Sequence, residues 1–165
     1  MELKRRVKPE LVFISICILM AVVYLWVGFQ PAGAKDYNVT TSLVIPSINL
    51  ETDVTALEPV NHRLETPDTI AGSYRSGDHK ELLIGHSSTV FADLDEVQVG
   101  DTIIYEQSEY SVRDIVTLSK EEISMRELLK DSDEKTIIIM TCAGEDLGEG
   151  DSTHRLIVTA TIMNN

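Results

Sequence analysis

Cysteine is scarce in this sequence: two occur in 165 residues, at positions 17 and 142. Cys17 falls within an uncharged run, so the pair cannot supply the disulfide framework of a small secreted scaffold. No Cys or His pairs stand at zinc-ligand spacing, no Gly-rich stretch has the form of a phosphate loop, and there is neither an internal repeat nor a low-complexity tract. Basic residues are also few, 14 against 27 acidic ones, for a net charge of −13. Four of the basic residues (Lys4, Arg5, Arg6, Lys8) lie in the first ten positions, so the remainder is more acidic still. Such a surface repels phosphate backbones, which argues against nucleic acid as a partner.

Long apolar runs are limited to one. Leu11 to Phe29 carries no charge over 19 residues, about 28 Å at helical rise and close to the hydrocarbon thickness of a bilayer. Tyr24 and Trp26 suit the membrane interface, and the basic cluster ahead of the run predicts a cytoplasmic N-terminus. Ala32-Gly33-Ala34 has the look of a signal-peptidase site. The run nevertheless exceeds the ~7–15 apolar residues of a cleaved signal, so an uncleaved single-pass anchor is expected. The expected organisation is a cytoplasmic basic segment (1–10), a membrane span (11–29), a Pro- and Gly-containing linker (30–41) and an extracellular domain (42–165).

Within that domain, short β-branched runs alternate with turn residues. SLVIPSINLETDVTAL reads as two strands broken at Pro46, which places the first at an edge or a bulge. Strands follow at 69–74, 81–84, 102–106, 110–118, 136–142 and 155–163, with turns near Gly100-Asp101 and Ser108-Glu109 and a helical turn over 91–95. Glu121 to Lys130 is the expected helix, with Ser119 and Glu122 as a capping box. About eight strands and one short helix indicate an all-β barrel or sandwich.

Four histidines, one exported cysteine and one arginine hold the chemical interest. Cys142 ends the TIIIM run, and Arg155 opens the last strand. If 136–142 and 155–163 pair antiparallel across a twelve-residue acidic loop, the two side chains sit nearly opposite each other. A fixed cation favours thiolate, whereas a packed thiol is an inert small hydrophobe; both readings of Cys142 stand at this point. Arg155 could equally pair with Glu145, Asp146, Glu149 or Asp151 of the loop. Being always protonated, it can act only electrostatically. His62 and His79 lie in polar turns and read as solvated, and His154 points away from Arg155 in a strand. His86 is different: it ends an apolar strand in a Gly-His-Ser-Ser context, at a rim where it can reach a neighbouring strand end.

In order, Gly85-His86, FADLDEVQVGD (91–101), MTC (140–142) and THRLIV (153–158), preceded by LVIPSINL (43–50), resemble the sortase family of cysteine transpeptidases over most of residues 43–163. The family's T-L-x-T-C pattern falls on Ile138 to Cys142, with Ile138 and Ile139 departing from its Thr and Leu. The resemblance implies a closed eight-stranded β-barrel with one or two short helices and the catalytic groups at one end. It implies that Cys142 is the nucleophile, His86 the proton carrier and Arg155 the oxyanion donor, with Thr141 a candidate substrate contact. The implied substrates are exported proteins with a C-terminal LPxTG-like sorting signal. The acyl group would pass to an amine of a peptidoglycan precursor or a pilin.

Pilus-assembling sortases resemble the chain in FADLD and THRLIV, but usually carry an N-terminal Asp-Pro-aromatic lid motif, which is not found before residue 42, and often a second membrane span. A general protein-anchoring role is therefore expected ahead of pilin polymerisation. A hydrolytic cysteine peptidase on the same scaffold and a non-enzymatic β-barrel binding module are the remaining alternatives. No cofactor is expected. Calcium is weighed only because Glu145, Asp146, Glu149 and Asp151 offer hard oxygen ligands, without EF-hand spacing; residues 143–153 read instead as a mobile acidic rim.

Overall fold

The computed structural model describes residues 37–148 and 151–163. The expected membrane span and most of the expected linker lie outside the described residues; among the described residues no helix is long and apolar enough to cross a membrane. Eight strands form: β1 (Val39–Ile45), β2 (Leu50–Ala56), β3 (Ala71–Ser76), β4 (Lys80–Ile84), β5 (Thr102–Tyr105), β6 (Ser108–Ser119), β7 (Thr136–Gly148) and β8 (Asp151–Ile162). They close into a barrel in the order β1-β2-β3-β4-β7-β8-β6-β5, with β5 pairing back onto β1. The β2–β3 and β4–β7 pairs are parallel and the others antiparallel.

β4 and β7 carry consecutive apolar residues because both of their faces are covered. Successive strand residues point to opposite sides, so an alternating pattern serves a half-exposed strand and an unbroken run serves one buried twice. Leu83, Ile137 and Ile139 join Leu43, Val54, Ile103, Val112 and Val158 in the main core. Leu82, Ile84 and Ile138 form, with Ile157, a second cluster on the other face, covered by Leu57, Leu64, Leu128 and Leu129. Each such side chain contributes roughly 1.5–3 kcal/mol on full burial. The β4–β7 pair is thus held from both sides.

Four local expectations need correction. Helix α1 spans only Met125–Leu128, capped by Ser124, whose hydroxyl accepts from the Glu127 amide. Ser119 and Glu122 do bond, the Ser119 amide and hydroxyl donating to Glu122 Oε2 at 2.9 and 2.8 Å, but they close a turn and no helix grows from it. Ile123 and Leu128 both pack on the outer cluster, and a continuous helix would set residues five apart about 140° from each other. Second, β7 and β8 continue past Cys142 and Arg155 as a long ribbon, so residues 143–148 and 151–154 are strand where a loop is expected. Gly144 and Gly148, at φ of +79° and +83°, allow two bulges in it. Third, Pro46 breaks no edge strand: β1 is paired on both sides, and Pro46 opens a 3-10 turn after it. The β5–β6 turn lies at Glu106-Gln107, both at positive φ, just ahead of the expected Ser108-Glu109.

At the end of the barrel where β4 begins, Glu81 is buried and fully bonded. Tyr105 donates its hydroxyl to Oε1 at 2.8 Å, and Arg75 donates Nε and Nη2 to Oε2 at 3.2 and 2.7 Å. Burial, and then the adjacent Glu81 carboxylate, hold the Tyr105 phenol well above its usual range. Tyr105→Phe strands one buried carboxylate oxygen and is expected to lower unfolding free energy by about 1–3 kcal/mol in chemical denaturation. Wild-type stability would contradict a plugging role for this network.

Candidate active site

Register alone brings three sequence-separated residues to one rim. The last parallel pair of β4 and β7 is Ile84 with Met140, and His86 and Cys142 each lie two residues beyond it. On the other side of β7, Cys142 stands opposite Arg155 of β8 in the antiparallel register, as the sequence spacing predicts. β4, β7 and β8 are neighbours in the barrel, so His86, Cys142 and Arg155 come to the same end of three adjacent strands. All three line one cleft of about 530 Å³.

Thr141 fastens this rim. It is 4% exposed and donates its hydroxyl to the Gly85 carbonyl at 2.8 Å, joining β7 to the residue before His86. The candidate substrate contact therefore has its hydroxyl hydrogen committed within the protein. Gly85 is required on its own account. A Cβ there would stand 2.8 Å from two ring carbons of buried Phe91, whose amide donates to the His86 carbonyl at 3.0 Å. The FADLD stretch thus packs directly beneath the histidine's backbone.

Arg155 both stands at the cleft and pairs with a carboxylate of the ribbon. Its side chain, 21% exposed, lines the cleft and is also bonded to Asp151, Nη2 donating to Oδ1 at 2.7 Å. Nη1 donates to the carbonyls of Ser152 and His154 and to the Ser152 hydroxyl. Lys120 donates to the other oxygen of Asp151. Hydrogen bonds from Lys120, then Arg155 and the Ser152 amide, hold the Asp151 carboxyl well below its usual range, so it is ionised at neutral pH.

The remaining candidates separate. His154 bonds Thr153 Oγ1 through Nδ1 and does not line the cleft. His79 is exposed beside Asp131, away from it. His62, read as a solvated turn histidine, is exposed but does line the cleft. It sits with Asn61 in a tight turn, both at positive φ, closed by hydrogen bonds between Val60 and Arg63 at 2.8 and 3.0 Å. Turn composition alone gave no sign that this segment borders the cleft. The cleft's apolar lining comes from Leu82, Ile84 and Met140 of the strands and from Leu64, Met125 and Leu129 of the flanking segments. Of the acids weighed for calcium, Glu149 lies outside the described residues, and Asp151 is already engaged by two cations. Among the described residues no three His, Cys, Asp or Glu side chains converge as a metal site. A second hollow of about 270 Å³ shares only His86 and Cys142 with the cleft and is bordered by Ser87, Ser88 and Asp146.

Thr141→Val keeps the shape of the side chain and removes the tie to Gly85. It is expected to lower unfolding free energy by about 1–3 kcal/mol, because the carbonyl is left buried without that donor; unchanged denaturation would show that the tie holds nothing.

The fold has counterparts among known proteins. The sortase domain matches residues 43–163. Sortase A of Listeria monocytogenes superposes with a TM-score of 0.59 at 20% identity, covering 76% of this chain and 88% of that one. Sortase C-1 of Actinomyces oris gives 0.58 at 21%, covering 82% and 83%. A sortase D5 transpeptidase of Clostridium perfringens gives 0.57 at 24%, covering 76% and 79%. No curated protein matches in sequence. With the family's domain matched across most of its length, the chain belongs to the sortase family of cysteine transpeptidases.

Proposed function

We propose that this sortase is a single-pass membrane enzyme whose extracellular domain cleaves LPxTG-like sorting signals and transfers the acyl group to an amine, anchoring exported proteins to the cell wall. The observation that carries the reading is the placement of His86, Cys142 and Arg155 on one cleft by the registers of β4, β7 and β8. The uncharged run at 11–29 and the basic residues before it support the membrane topology.

The steps follow from what each group can do. The sulfur of Cys142, its proton passed to His86, attacks the carbonyl carbon of the signal's Thr, and the oxygen takes up the negative charge. Arg155, a permanent cation with N–H donors, stabilises that oxyanion. His86 gives a proton to the departing amine, the C–N bond breaks, and a thioester remains on Cys142. An incoming amine loses its proton to His86 as it attacks the thioester carbon, the C–S bond breaks, and an amide forms. The apolar floor of Leu82, Ile84 and Met140 suits the leucine and proline of such a signal. The second hollow, meeting the cleft only at His86 and Cys142, offers an amine its own approach to the thioester.

The test uses the full chain in detergent with a library of sorting-signal peptides and triglycine as the amine. Amide-linked product that disappears in Cys142→Ala is expected. Arg155→Lys is expected to lose about 10²–10³-fold in kcat, the usual cost of removing an oxyanion donor. Product formed by Cys142→Ala would overturn the assignment, and cleavage with hydrolysis alone would favour a peptidase.

A further inference from the structure

An arginine is a long, flexible side chain, and oxyanion stabilisation depends on a donor already in place when charge develops. In this chain the guanidinium is gripped on one side. The Nη1 hydrogens go to the Ser152 carbonyl, the Ser152 hydroxyl and the His154 carbonyl, and one Nη2 hydrogen goes to Asp151 at 2.7 Å. Those contacts leave Nε–H and the second Nη2–H outside the grip. Three of the four contacts come from backbone or from a serine that is itself fixed, its hydroxyl donating to the His154 carbonyl at 3.0 Å. The fourth is a charged side chain at the start of the same strand.

A carboxylate bonded to an oxyanion donor has an electrostatic drawback, since it offsets the positive charge the oxyanion needs. Lys120 counters this: its ammonium bonds the other Asp151 oxygen, so the three groups together keep one net positive charge. Lys120 also fixes where the carboxylate lies, and its own amide is bonded to the Thr153 carbonyl at 3.2 Å. Neither Asp151 nor Lys120 lines the cleft that holds the apolar floor. They can therefore act on the chemistry without touching a peptide bound there.

We propose that Asp151, held by Lys120, is a positioning residue that orients the Arg155 guanidinium so that Nε–H and one Nη2–H remain for the transition-state oxyanion. The inference rests on the role proposed for Arg155. It places Asp151 outside the cleft proposed for the peptide, although it borders the second hollow, and gives the acidic ribbon a function in turnover.

The test measures kcat and KM separately for acyl transfer by the full chain in detergent, with thermal unfolding alongside. Asp151→Ala is expected to lower kcat about tenfold, in line with the sensitivity of turnover to small displacements, while KM for the signal peptide and the melting temperature stay near wild type. Asp151→Asn keeps an oxygen that can accept from Nη2 and is expected to restore more than half of that loss. Lys120→Met is expected to lower kcat about threefold, within the range of a partly exposed ion pair, and it remains informative should the alanine variant fail to fold. Wild-type kcat in Asp151→Ala or in Lys120→Met, a loss expressed in KM, or an asparagine variant no better than alanine each overturns the proposal. The control Cys142→Ala separates the two readings. If it is inactive while the Asp151 and Lys120 variants behave as wild type, only this inference fails. If it still transfers, the functional reading fails and this inference with it.

Discussion

The pairing of β7 with its two neighbours is the constraint on which the rest of the structure depends. On one side the ladder is parallel, with Ile84 beside Met140, and on the other antiparallel, with Cys142 opposite Arg155. A slip of one residue in either ladder would turn every side chain of β7 to the opposite face. That would exchange the residues of the core with those of the cleft floor and move Cys142 away from both partners. The register is fixed because β7 is buried on both faces, so no shifted pairing leaves its isoleucines equally covered. The chemistry at the rim is therefore set by apolar packing several residues away.

The same logic extends outward from the strand ends. The Thr141 hydroxyl and the packing of Phe91 under Gly85 carry the order of the β4–β7 pair two residues past its last backbone pair, to His86. Ser152, Asp151 and Lys120 carry the order of the ribbon to the guanidinium of Arg155. At the opposite end the Glu81 network closes the barrel with polar groups that are all bonded. Both ends are thus tied by side-chain hydrogen bonds, with the cleft laid across the outer face between the turn at Asn61-His62 and the segment of α1.

Much of this was legible in the sequence, for physical reasons that differ by element. Unbroken apolar runs such as LLI and TIIIM marked strands, and the span from Cys142 to Arg155 pointed to an antiparallel pair. The link from His86 to Cys142 was visible only through family resemblance, because a parallel pairing between residues more than fifty apart leaves no local spacing to read. The helix over 121–130 was overcounted, since Ile123, Leu128 and Leu129 serve one apolar cluster without sharing one helical stripe. The acidic, Gly-containing composition of 143–154 reads as a loop; through the described residues there the ladder continues because glycines at positive φ absorb its bulges. His62 and the Lys120–Asp151 pair were missed as parts of the site's surroundings, their placement being a matter of tertiary contact.

The central claim is that the sulfur placed by this register forms the covalent intermediate. The most direct measurement is intact-mass analysis of the full chain after brief incubation with a sorting-signal peptide and no added amine. The account predicts a mass increase equal to the peptide's N-terminal fragment, mapped to Cys142, removed by hydroxylamine and absent from Cys142→Ala. An adduct on any other residue, or efficient peptide cleavage by Cys142→Ala, would contradict it.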